Sequence, residues 1–378
     1  MNQDFTFPQI EYLAKNGVSL ITDVCEEGKG AAIANTYFLQ ADTGNYVIDP
    51  ACGKRRLRQI KARLPFKEYD VLLTHSHLDH SANSGAPLFI NSQVICHPLV
   101  AGKIDNLERN YTDITAEMVR VFGVQGFFGR TGMLGPTMIK LLLGIQKLSP
   151  TLFNCLLYAV SLAMCRSKVG RIYRPTGNVT FLREDQLTDI CFENTLFPGW
   201  PISKNLFALE TPGHQDDHLS FYVPERKLMF SGDLISFLNP NDILDGSLKE
   251  TYTWMKKMLQ LAEAGGINIL AVSHALPLMG KDQVIAYLRS VIAKQEEAFN
   301  TIAKIVASFP DKSDFDGIIA KVYAHESKLM KKILKINYPR SVSFIDVYVY
   351  LYLKEYVNQE IGKEMKTTAL YTARQING

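Results

Sequence analysis

The sequence predicts an α/β sandwich in which two β-sheets pack against each other and helices cover their outer faces. Short β-like runs form two clusters along the chain, and segments with helical periodicity follow each cluster. Packing the sheets together buries the apolar face of each. The chain has 378 residues, 47% of them hydrophobic, which indicates a globular protein with an ample core rather than a disordered one.

The predicted elements follow in order along the two clusters. The first cluster has strands at residues 18–23, 31–40, 45–49, 70–74 and 94–96, with a basic helix at 53–64. A turn signal at Asp42-Thr43-Gly44 separates its second and third strands. The second cluster has strands at 178–182, 206–210, 219–223, 227–230 and 267–272. Apolar residues at helical spacing predict helices at 248–263 and from 282 to about 309.

The most informative motif is residues 74–80, which read Thr-His-Ser-His-Leu-Asp-His directly after an apolar run. Imidazole nitrogen and carboxylate oxygen suit Zn²⁺, and also Mn²⁺ or Fe²⁺. Alternation along an extended segment directs His75 and His77 to the same side. The turn that follows brings Asp79 and His80 towards a second ion. The motif therefore predicts a metal site that holds two ions.

A two-metal site needs further ligands, and the second cluster of strands supplies them. His214, Asp233 and His274 each follow directly after a predicted strand. The chain has eight histidines, and five of them occupy such strand-end positions. The strands can thus deliver all of these ligands to one edge of the sandwich.

Together these residues resemble the motif series of the metallo-β-lactamase-fold hydrolases, over roughly residues 17–300. The ordered set is Asp49, His75, His77, Asp79, His80, His214, Asp233 and His274. The resemblance implies an αββα sandwich in which His75, His77 and His214 bind one ion. It implies that Asp79, His80 and His274 bind the other ion, that Asp233 bridges the two, and that Asp49 lies behind the metal-binding histidines. Histidine at position 77, where the diiron oxygen-reducing branch has glutamate, favours a hydrolytic site.

A narrower likeness lies in residues 212–218, which read Pro-Gly-His-Gln-Asp-Asp-His. This pattern is similar to the β-lactamase-like-2 group, which has a helical, winged-helix-like C-terminal extension and includes enzymes that cleave single-stranded RNA. The final motif departs from the common Gly-His-Gly form, because it reads Ser273-His274-Ala275. The resemblance implies a hydroxide shared by two ions that attacks a carbonyl carbon or a phosphorus. Asp79 is then a catalytic candidate that orients or deprotonates the water, and His218 is a candidate proton donor or, alternatively, a structural turn residue.

Residues 100–175 form an apolar helical insertion between the two clusters. Its run at 152–165 has about 14 residues, fewer than the ~20 that span a bilayer. Three interpretations remain open. The insertion is a structural cap, a lid that admits a substrate with an apolar arm, or a peripheral membrane contact through residues 133–174. The membrane interpretation depends on the basic residues beside the apolar runs, which are Lys140, Lys147, Arg166, Lys168, Arg171 and Arg174.

Residues 310–378 are predicted to form a helical C-terminal extension. They contain a basic cluster at 328–340 and the aromatic-rich stretch 344–352. A basic cluster is usually a solvated helix face, and the aromatic stretch favours a core or a homodimer interface over a base-stacking platform. Nucleic-acid contact is the alternative interpretation of this extension.

The prediction is a dinuclear metallohydrolase whose catalytic domain comprises residues 1–99 and 176–309. Two divalent ions, Zn²⁺ ahead of Mn²⁺ or Fe²⁺, are expected to act on an ester, thioester or lactone with an apolar part. A phosphodiesterase or endoribonuclease and a non-catalytic metal sensor are the alternatives. Six scattered cysteines without a Cys-x-x-Cys pair, and no signal-peptide pattern at the N-terminus, predict a cytoplasmic protein.

Overall fold

A computed structural model describes residues 7–25, 31, 33–124, 135–175, 178–235, 246–311, 314–324 and 344–357. The chain divides into two compact units. The first contains residues 1–108, 166–240 and 250–292, and the second contains 109–165, 241–249 and 293–378. The basic cluster at 328–340 lies outside the described residues.

The described part of the first unit contains two sheets, of six and seven strands. The six-stranded sheet has the order β1-β2-β3-β4-β5-β6. Its strands are β1 (Val18–Ile21), β2 (Thr36–Ala41), β3 (Gly44–Ile48), β4 (Asp70–Leu72), β5 (Val94–Cys96) and β6 (Val179–Phe181). Strands β1 to β3 are antiparallel, whereas β3 to β6 run parallel, with Val47 opposite Val71. The parallel strands therefore bring Asp49, which follows β3, and the histidine motif, which follows β4, to one edge.

The seven-stranded sheet has the order β13-β12-β11-β10-β9-β8-β7. Its strands are β7 (Thr188–Phe192), β8 (Thr195–Ser203), β9 (Leu206–Glu210), β10 (Leu219–Val223), β11 (Leu228–Gly232), β12 (Ile269–Val272) and β13 (Leu278–Met279). Strand β10 is antiparallel to both β9 and β11, and β12 is parallel to β11. The carboxyl ends of β9, β11 and β12 therefore meet at one edge, and His214, Asp233 and His274 follow these ends.

Helices connect and cover the strands. Those with residues in the first unit include α1 (Pro8–Lys15), α2 (Gly53–Arg63), α3 (Leu78–Ser81), α4 (Ala101–Ile104) and, further along, α8 (Leu248–Glu263). Those with residues in the second unit include α5 (Leu107–Val124), α6 (Pro136–Leu148), α7 (Pro150–Val169), α10 (Phe315–Tyr323) and α11 (Phe344–Tyr352). Helix α9 (Lys281–Ala307) contributes to both units, and a π-helical turn, Leu353–Val357, follows α11.

Three apolar layers show that the first unit is an αββα sandwich. The layer between the sheets joins Tyr37 of β2 to Phe230 of β11, whose ring centroids lie 5.2 Å apart in an edge-to-face arrangement. A second layer packs Ile60 of α2 on the outer face of the six-stranded sheet. A third packs α8 and α9 on the outer face of the seven-stranded sheet, for example through Met258 and Leu288. The predicted fold class is confirmed.

The second unit has its own apolar core. Buried residues of α5, α6, α7, the second part of α9, α10 and α11 form one cluster, which includes Phe122, Phe153, Ile302, Ile318 and Leu351. The aromatic stretch of α11 thus contributes to this core through Val347 to Tyr352. Among the described residues, no helix is long and apolar enough to cross a membrane.

Strands β7 and β8 are elements that the sequence pattern did not predict. Strand β8 contains Pro198 and Pro201, and proline normally argues against an interior strand because it has no N–H to donate. The ladder accommodates them with a register shift after Pro201. The β7–β8 turn places Glu193 and Asn194 at φ 45° and 65°, the left-handed pair that closes a tight hairpin.

Candidate metal centre

Four strand ends deliver the predicted metal-binding side chains to one place in the first unit. Seven side chains form two groups of potential ligands, and within each group the ligand atoms lie within 4.8 Å of one another. The first group is His75, His77, His214 and Asp233, and the second is Asp79, His80 and His274. The structure therefore brings together all seven residues that the sequence predicts as ligands.

The first group contains three imidazoles whose ring nitrogens converge. His77 Nδ1 lies 2.8 Å from His75 Nε2 and 3.0 Å from His214 Nε2. Burial and the neighbouring histidines hold the pKa of His75 and of His77 well below the usual value, so both rings are neutral. His77 Nδ1 carries at most one hydrogen, and that hydrogen cannot fill both of these short contacts. This convergence of neutral nitrogens fits a shared cation.

Asp233 links the two groups. Its Oδ2 lies 3.6 Å from His214 Nε2 in the first group and 3.1 Å from His274 Nε2 in the second. Its Oδ1 lies 3.3 Å from His80 Nε2. His274 Nε2 also lies 3.3 Å from Asp79 Oδ2, which is itself 3.6 Å from His80 Nε2. One carboxylate thus faces ligand atoms of both groups, which is the position expected of a bridging ligand.

Hydrogen bonds behind the rings fix three of the histidines with Nε2 towards the site. Thr74 Oγ1 donates to Asp49 Oδ2 over 2.8 Å, so it accepts from His75 Nδ1 at 3.0 Å. His80 Nδ1 donates to Asp49 Oδ2 over 2.8 Å, and His274 Nδ1 donates to the Ala31 carbonyl over 2.9 Å. In its neutral form each ring then carries its hydrogen on Nδ1, so that Nε2 is the atom that can bind a metal ion.

Unsatisfied buried atoms give a direct test of whether the residues fit metal ions. Among the described residues, the buried atoms His80 Nε2 and Asp233 Oδ1 lie 3.3 Å apart, and neither makes a hydrogen bond of good geometry. Burial alone would lower the pKa of His80, but Asp233, Asp79 and Asp49 together raise it well above the usual value. Buried polar atoms without partners are costly, and nitrogen and carboxylate oxygen are ligands that Zn²⁺ accepts. The site therefore fits two divalent ions.

Asp49 adopts a strained backbone conformation that the surrounding structure enforces. Its φ is 51°, in the left-handed region that non-glycine residues rarely occupy. The Asp49 N–H donates to the Leu72 carbonyl over 3.0 Å, and its own carbonyl accepts from Thr36 Oγ1 at 2.8 Å. Strain of this kind is concentrated at functional sites, where it is held in place by tertiary contacts. At Asp49 this backbone conformation places the carboxylate within hydrogen-bond distance of Thr74 and His80.

Arg56 supports Asp49 from behind, and sequence reasoning missed it. Its guanidinium is buried and donates to Thr36 Oγ1 over 2.9 Å, to the Ala34 carbonyl over 2.6 Å and to Asp23 Oδ2 over 2.9 Å. In the sequence Arg56 is one of several basic residues of α2. The signal that could have singled it out is its helical position, which places it on the same buried face as Ile60.

The loop that carries His274 is held by residues of the first sheet, which the sequence also did not indicate. Asn35 donates through Nδ2 to the carbonyls of Val272, over 2.9 Å, and Ala275, over 2.7 Å. The Tyr37 hydroxyl donates to the same Val272 carbonyl over 2.7 Å. These bonds fix the backbone on both sides of His274, where this chain has Ser273 and Ala275 instead of the two glycines of the common motif.

His218 uses both of its ring nitrogens in hydrogen bonds to the backbone. It is fully buried, its Nδ1 donates to the Thr211 carbonyl over 3.0 Å, and its Nε2 accepts from the Asp233 N–H over 3.1 Å. Burial lowers its pKa to about 3, so the ring is neutral at ordinary pH. Gly232, the residue before Asp233, has φ 54°, and a Cβ there would lie 2.4 Å from His218 Nε2. The geometry favours a positioning role over the predicted proton donor.

Replacing His218 by leucine should therefore weaken metal binding by about 10- to 100-fold, because Asp233 loses the acceptor that orients its backbone. The Gln variant can restore one of the two hydrogen bonds and should recover part of that loss. Metal affinity and the pH dependence of kcat, compared among wild type, Leu and Gln variants, measure the effect. A proton donor would instead leave metal affinity intact and remove one limb of the pH profile.

Lys103 lies against the loop between His214 and His218. Its ammonium forms ion pairs with Asp216 and, over 3.3 Å, with Asp217, which is fully buried. Burial raises the pKa of Asp217, and the ammonium opposes that rise. The Asp-Asp pair of the narrower sequence motif thus anchors helix α4 to the loop that carries His214. The remaining buried histidine near these strand ends, His97, donates to Glu210 over 3.2 Å and belongs to neither ligand group.

Comparisons with known proteins agree with this geometry. Residues 30–129 match the family model described as the metallo-beta-lactamase superfamily. The structure is similar to that of a metallo-beta-lactamase family protein from Thermus thermophilus, at 16% identity and a TM-score of 0.52, over 90% of this chain and 93% of that one. Residues 30–129 thus resemble the metallo-beta-lactamase superfamily, and the fold of the chain is similar to that of the Thermus thermophilus protein.

Two curated relatives match a shorter stretch. The hydroxyacylglutathione hydrolase of Bartonella tribocorum is 38% identical over 61 residues, which are 16% of this chain and 24% of that protein. The protein of the same name from Bartonella quintana is 35% identical over 71 residues, 19% of this chain and 27% of that protein. The chain thus spans about a quarter of the length of these relatives. The narrower likeness to the β-lactamase-like-2 group stays a prediction.

Proposed function

We propose that this protein is a dinuclear metal-dependent hydrolase that cleaves a carbonyl substrate, with a thioester as the first candidate and an ester or lactone next. The observation that carries the proposal is the position of Asp233, whose two oxygens face ligand atoms of both groups. A single ion would not require a buried carboxylate shared in this way. Complete retention of the seven ligands also favours an enzyme over a metal sensor, which need not keep them all.

The residues of each group would hold one ion. His75, His77 and His214 would bind the first, Asp79, His80 and His274 the second, and Asp233 would bridge them. Zn²⁺ is the proposed metal, because imidazole and carboxylate ligands suit it, with Mn²⁺ and Fe²⁺ as alternatives. When bound, such ions supply Lewis acidity and lower the pKa of water towards neutrality.

The exposure of the ligands indicates the side from which a substrate arrives. His75 and His80 are fully buried, whereas the side chains of Asp79 and His274 are 26% and 19% exposed. The open side of the site is therefore at Asp79 and His274. Asp79 is proposed to orient the attacking water and to accept its proton at a carboxylate oxygen, while Asp49 keeps His80 in the tautomer that leaves Nε2 unprotonated.

Two further observations support a carbonyl substrate. The two Bartonella relatives are named for hydrolysis of a hydroxyacyl derivative of glutathione, which joins an acyl group to a thiol. The apolar insertion favours a substrate with an apolar arm, if it acts as the lid predicted from the sequence. A phosphodiester or RNA substrate is the alternative, for which the basic cluster at 328–340 would matter.

Metal content and substrate preference together test the proposal. Fully reloaded protein should contain two ions per chain and hydrolyse a thioester and ester series, and a chelator should abolish turnover. At a hundredfold excess of metal over Kd, each ion should add about 2.7 kcal/mol to the free energy of unfolding. The His77→Ala variant should lose metal and activity, whereas His97→Ala, a change at another buried histidine, should keep the metal stoichiometry.

Each of the other possible outcomes would contradict this proposal in a different way. Less than one ion per chain after reloading would contradict the ligand assignment itself. Two ions with turnover of bis-p-nitrophenyl phosphate alone would favour the nuclease. Two ions with no turnover of any ester, thioester or diester would favour the metal sensor.

A further inference from the structure

The helix α7 in the second unit is apolar on both sides. Its buried side consists of Phe153, Leu157, Ser161 and Cys165, which follow one another at four-residue spacing. The opposite side, where a surface helix normally has charged residues, has Leu152, Leu156, Ala159, Val160 and Ala163, all exposed. Leu152 is 51% exposed. Packing within the described residues therefore accounts for only one side of this helix.

The preceding helix α6 shows the same feature with lysines beside it. Leu141 and Leu148 are 55% and 89% exposed, on the side away from the buried Ile139. Lys140 and Lys147 are exposed next to them, and among the described residues neither forms an ion pair. We call the exposed residues Met138, Leu141, Leu148, Leu152, Leu156 and Val160 the α6–α7 apolar face.

The charge of this segment is strongly one-sided. Between Glu117 and Glu184 the sequence contains no Asp or Glu. The same segment contains nine basic residues: Arg120, Arg130, Lys140, Lys147, Arg166, Lys168, Arg171, Arg174 and Arg183. This local excess is larger than the net charge of +3 of the whole chain, so the rest of the chain is net acidic. Some of these cations are paired, as Arg166 is with Glu108, but none has an acidic neighbour within the segment.

We propose that the α6–α7 apolar face docks on a membrane surface that contains anionic lipid. Exposed leucines would enter the boundary between headgroups and acyl chains, and Lys140 and Lys147 would contact lipid phosphates. The helices lie on such a surface rather than span it, because none of the described helices is long and apolar enough to cross. This inference concerns where the protein works and does not depend on the reaction that it catalyses.

A second copy of the chain is the less favourable occupant. A twofold dimer places the same patch on both subunits, so Lys140 and Lys147 of each copy would face the same lysines in the other. Bringing like charges together across an interface opposes association, and the segment offers no acidic residue to compensate. An anionic lipid surface satisfies the apolar face and the lysines at the same time.

Binding to vesicles of defined composition tests the proposal with the full-length, metal-loaded protein. Co-sedimentation should be strong with mixed phosphatidylglycerol–phosphatidylcholine vesicles, weak with pure phosphatidylcholine, and reduced by high salt. The double change Lys140→Gln and Lys147→Gln should lower partitioning by about 25-fold, about fivefold for each charge. Lys61 and Lys204 are exposed lysines outside the segment, and the same double change there should have little effect.

A leucine pair provides a matched test of the apolar face. Leu152 and Leu196 are both 51% exposed, but Leu196 lies on β8 in the first unit. Leu152→Gln should lower partitioning by about tenfold, because one leucine no longer enters the lipid, and Leu196→Gln should not. Thermal unfolding and metal content of each variant verify that the fold is kept.

Single labelled cysteines identify the part of the protein that enters the lipid. Cys155 on α7 and Cys191 on β7 are both exposed. An environment-sensitive fluorophore on Cys155, with Cys25 and Cys191 replaced by serine, should shift to the blue on anionic vesicles. The same label on Cys191, with Cys25 and Cys155 replaced, should not. Equal binding to neutral vesicles, a shift at Cys191 alone, or self-association without lipid that Leu152→Gln abolishes would each overturn the proposal.

Discussion

Replacing Asp233 by asparagine should abolish hydrolysis and reduce the metal content, with the shape of the side chain nearly unchanged. Asp233 is buried and faces His214 on one side and His80 and His274 on the other. An amide has no negative charge to hold two cations together, and its NH₂ group would point at a ligand nitrogen or an ion. Because a bound metal contributes several kcal/mol to the transition state, turnover should fall by about 10³-fold or more.

Metal analysis and steady-state kinetics on the same preparation measure this effect. Asp189 lies exposed on β7 of the same unit, so Asp189→Asn makes the same chemical change away from the site. That control should keep both metal content and activity. Full metal content together with full turnover in Asp233→Asn would contradict the assignment of the bridging ligand. Full metal content with lost turnover would restrict Asp233 to a catalytic role.

Replacing Arg56 by methionine should lower both the free energy of unfolding and the activity, although Arg56 contacts none of the seven ligands. Methionine keeps the bulk of the side chain but removes the donors that reach Ala34, Thr36 and Asp23. Leaving buried acceptors without a partner should cost roughly 2–4 kcal/mol. Since Thr36 then loses its fixed position under the Asp49 carbonyl, turnover should fall by about 10- to 100-fold through His80.

The neighbouring residue provides the control for this change. Arg55 is also on α2 and lies 3.6 Å from the same Asp23, but its side chain is 76% exposed. Arg55→Met should change the free energy of unfolding by less than about 1 kcal/mol, as expected for an exposed ion pair. Denaturant unfolding and kinetics of the two variants separate the effects. Equal losses in both would mean that the charge on α2 matters rather than the buried hydrogen bonds.

Much of the site could be predicted because each ligand directly follows an apolar strand. Strand periodicity is local, so the runs before Asp49, His75, His214, Asp233 and His274 are visible without tertiary information. Residue chemistry then restricts what such a set can bind. Strands β7 and β8 were missed for the opposite reason. Local rules count prolines against a strand, whereas the β8 ladder accommodates Pro198 and Pro201 through its neighbours.

The supports of the site could not be predicted, because they join residues that are far apart in sequence. Asn35 and Tyr37 hold the Val272 carbonyl, and Ala31 fixes the tautomer of His274. The motif at residues 212–218 made His218 a catalytic candidate. Its two hydrogen bonds to the backbone are visible only in the folded structure. A hydrogen bond depends on distance and direction in space, and neither is encoded by the spacing of residues along the chain.

The sequence by itself determined the class of fold, the seven ligand candidates and the absence of acidic residues between Glu117 and Glu184. These properties depend on residue type and on short-range periodicity. Only the tertiary structure decided which hydrogen bonds orient the ligand histidines, why Asp49 adopts a left-handed conformation, and which side of α7 is left exposed. Each of these depends on packing between distant segments, which selects one face of a helix and one direction for a buried side chain.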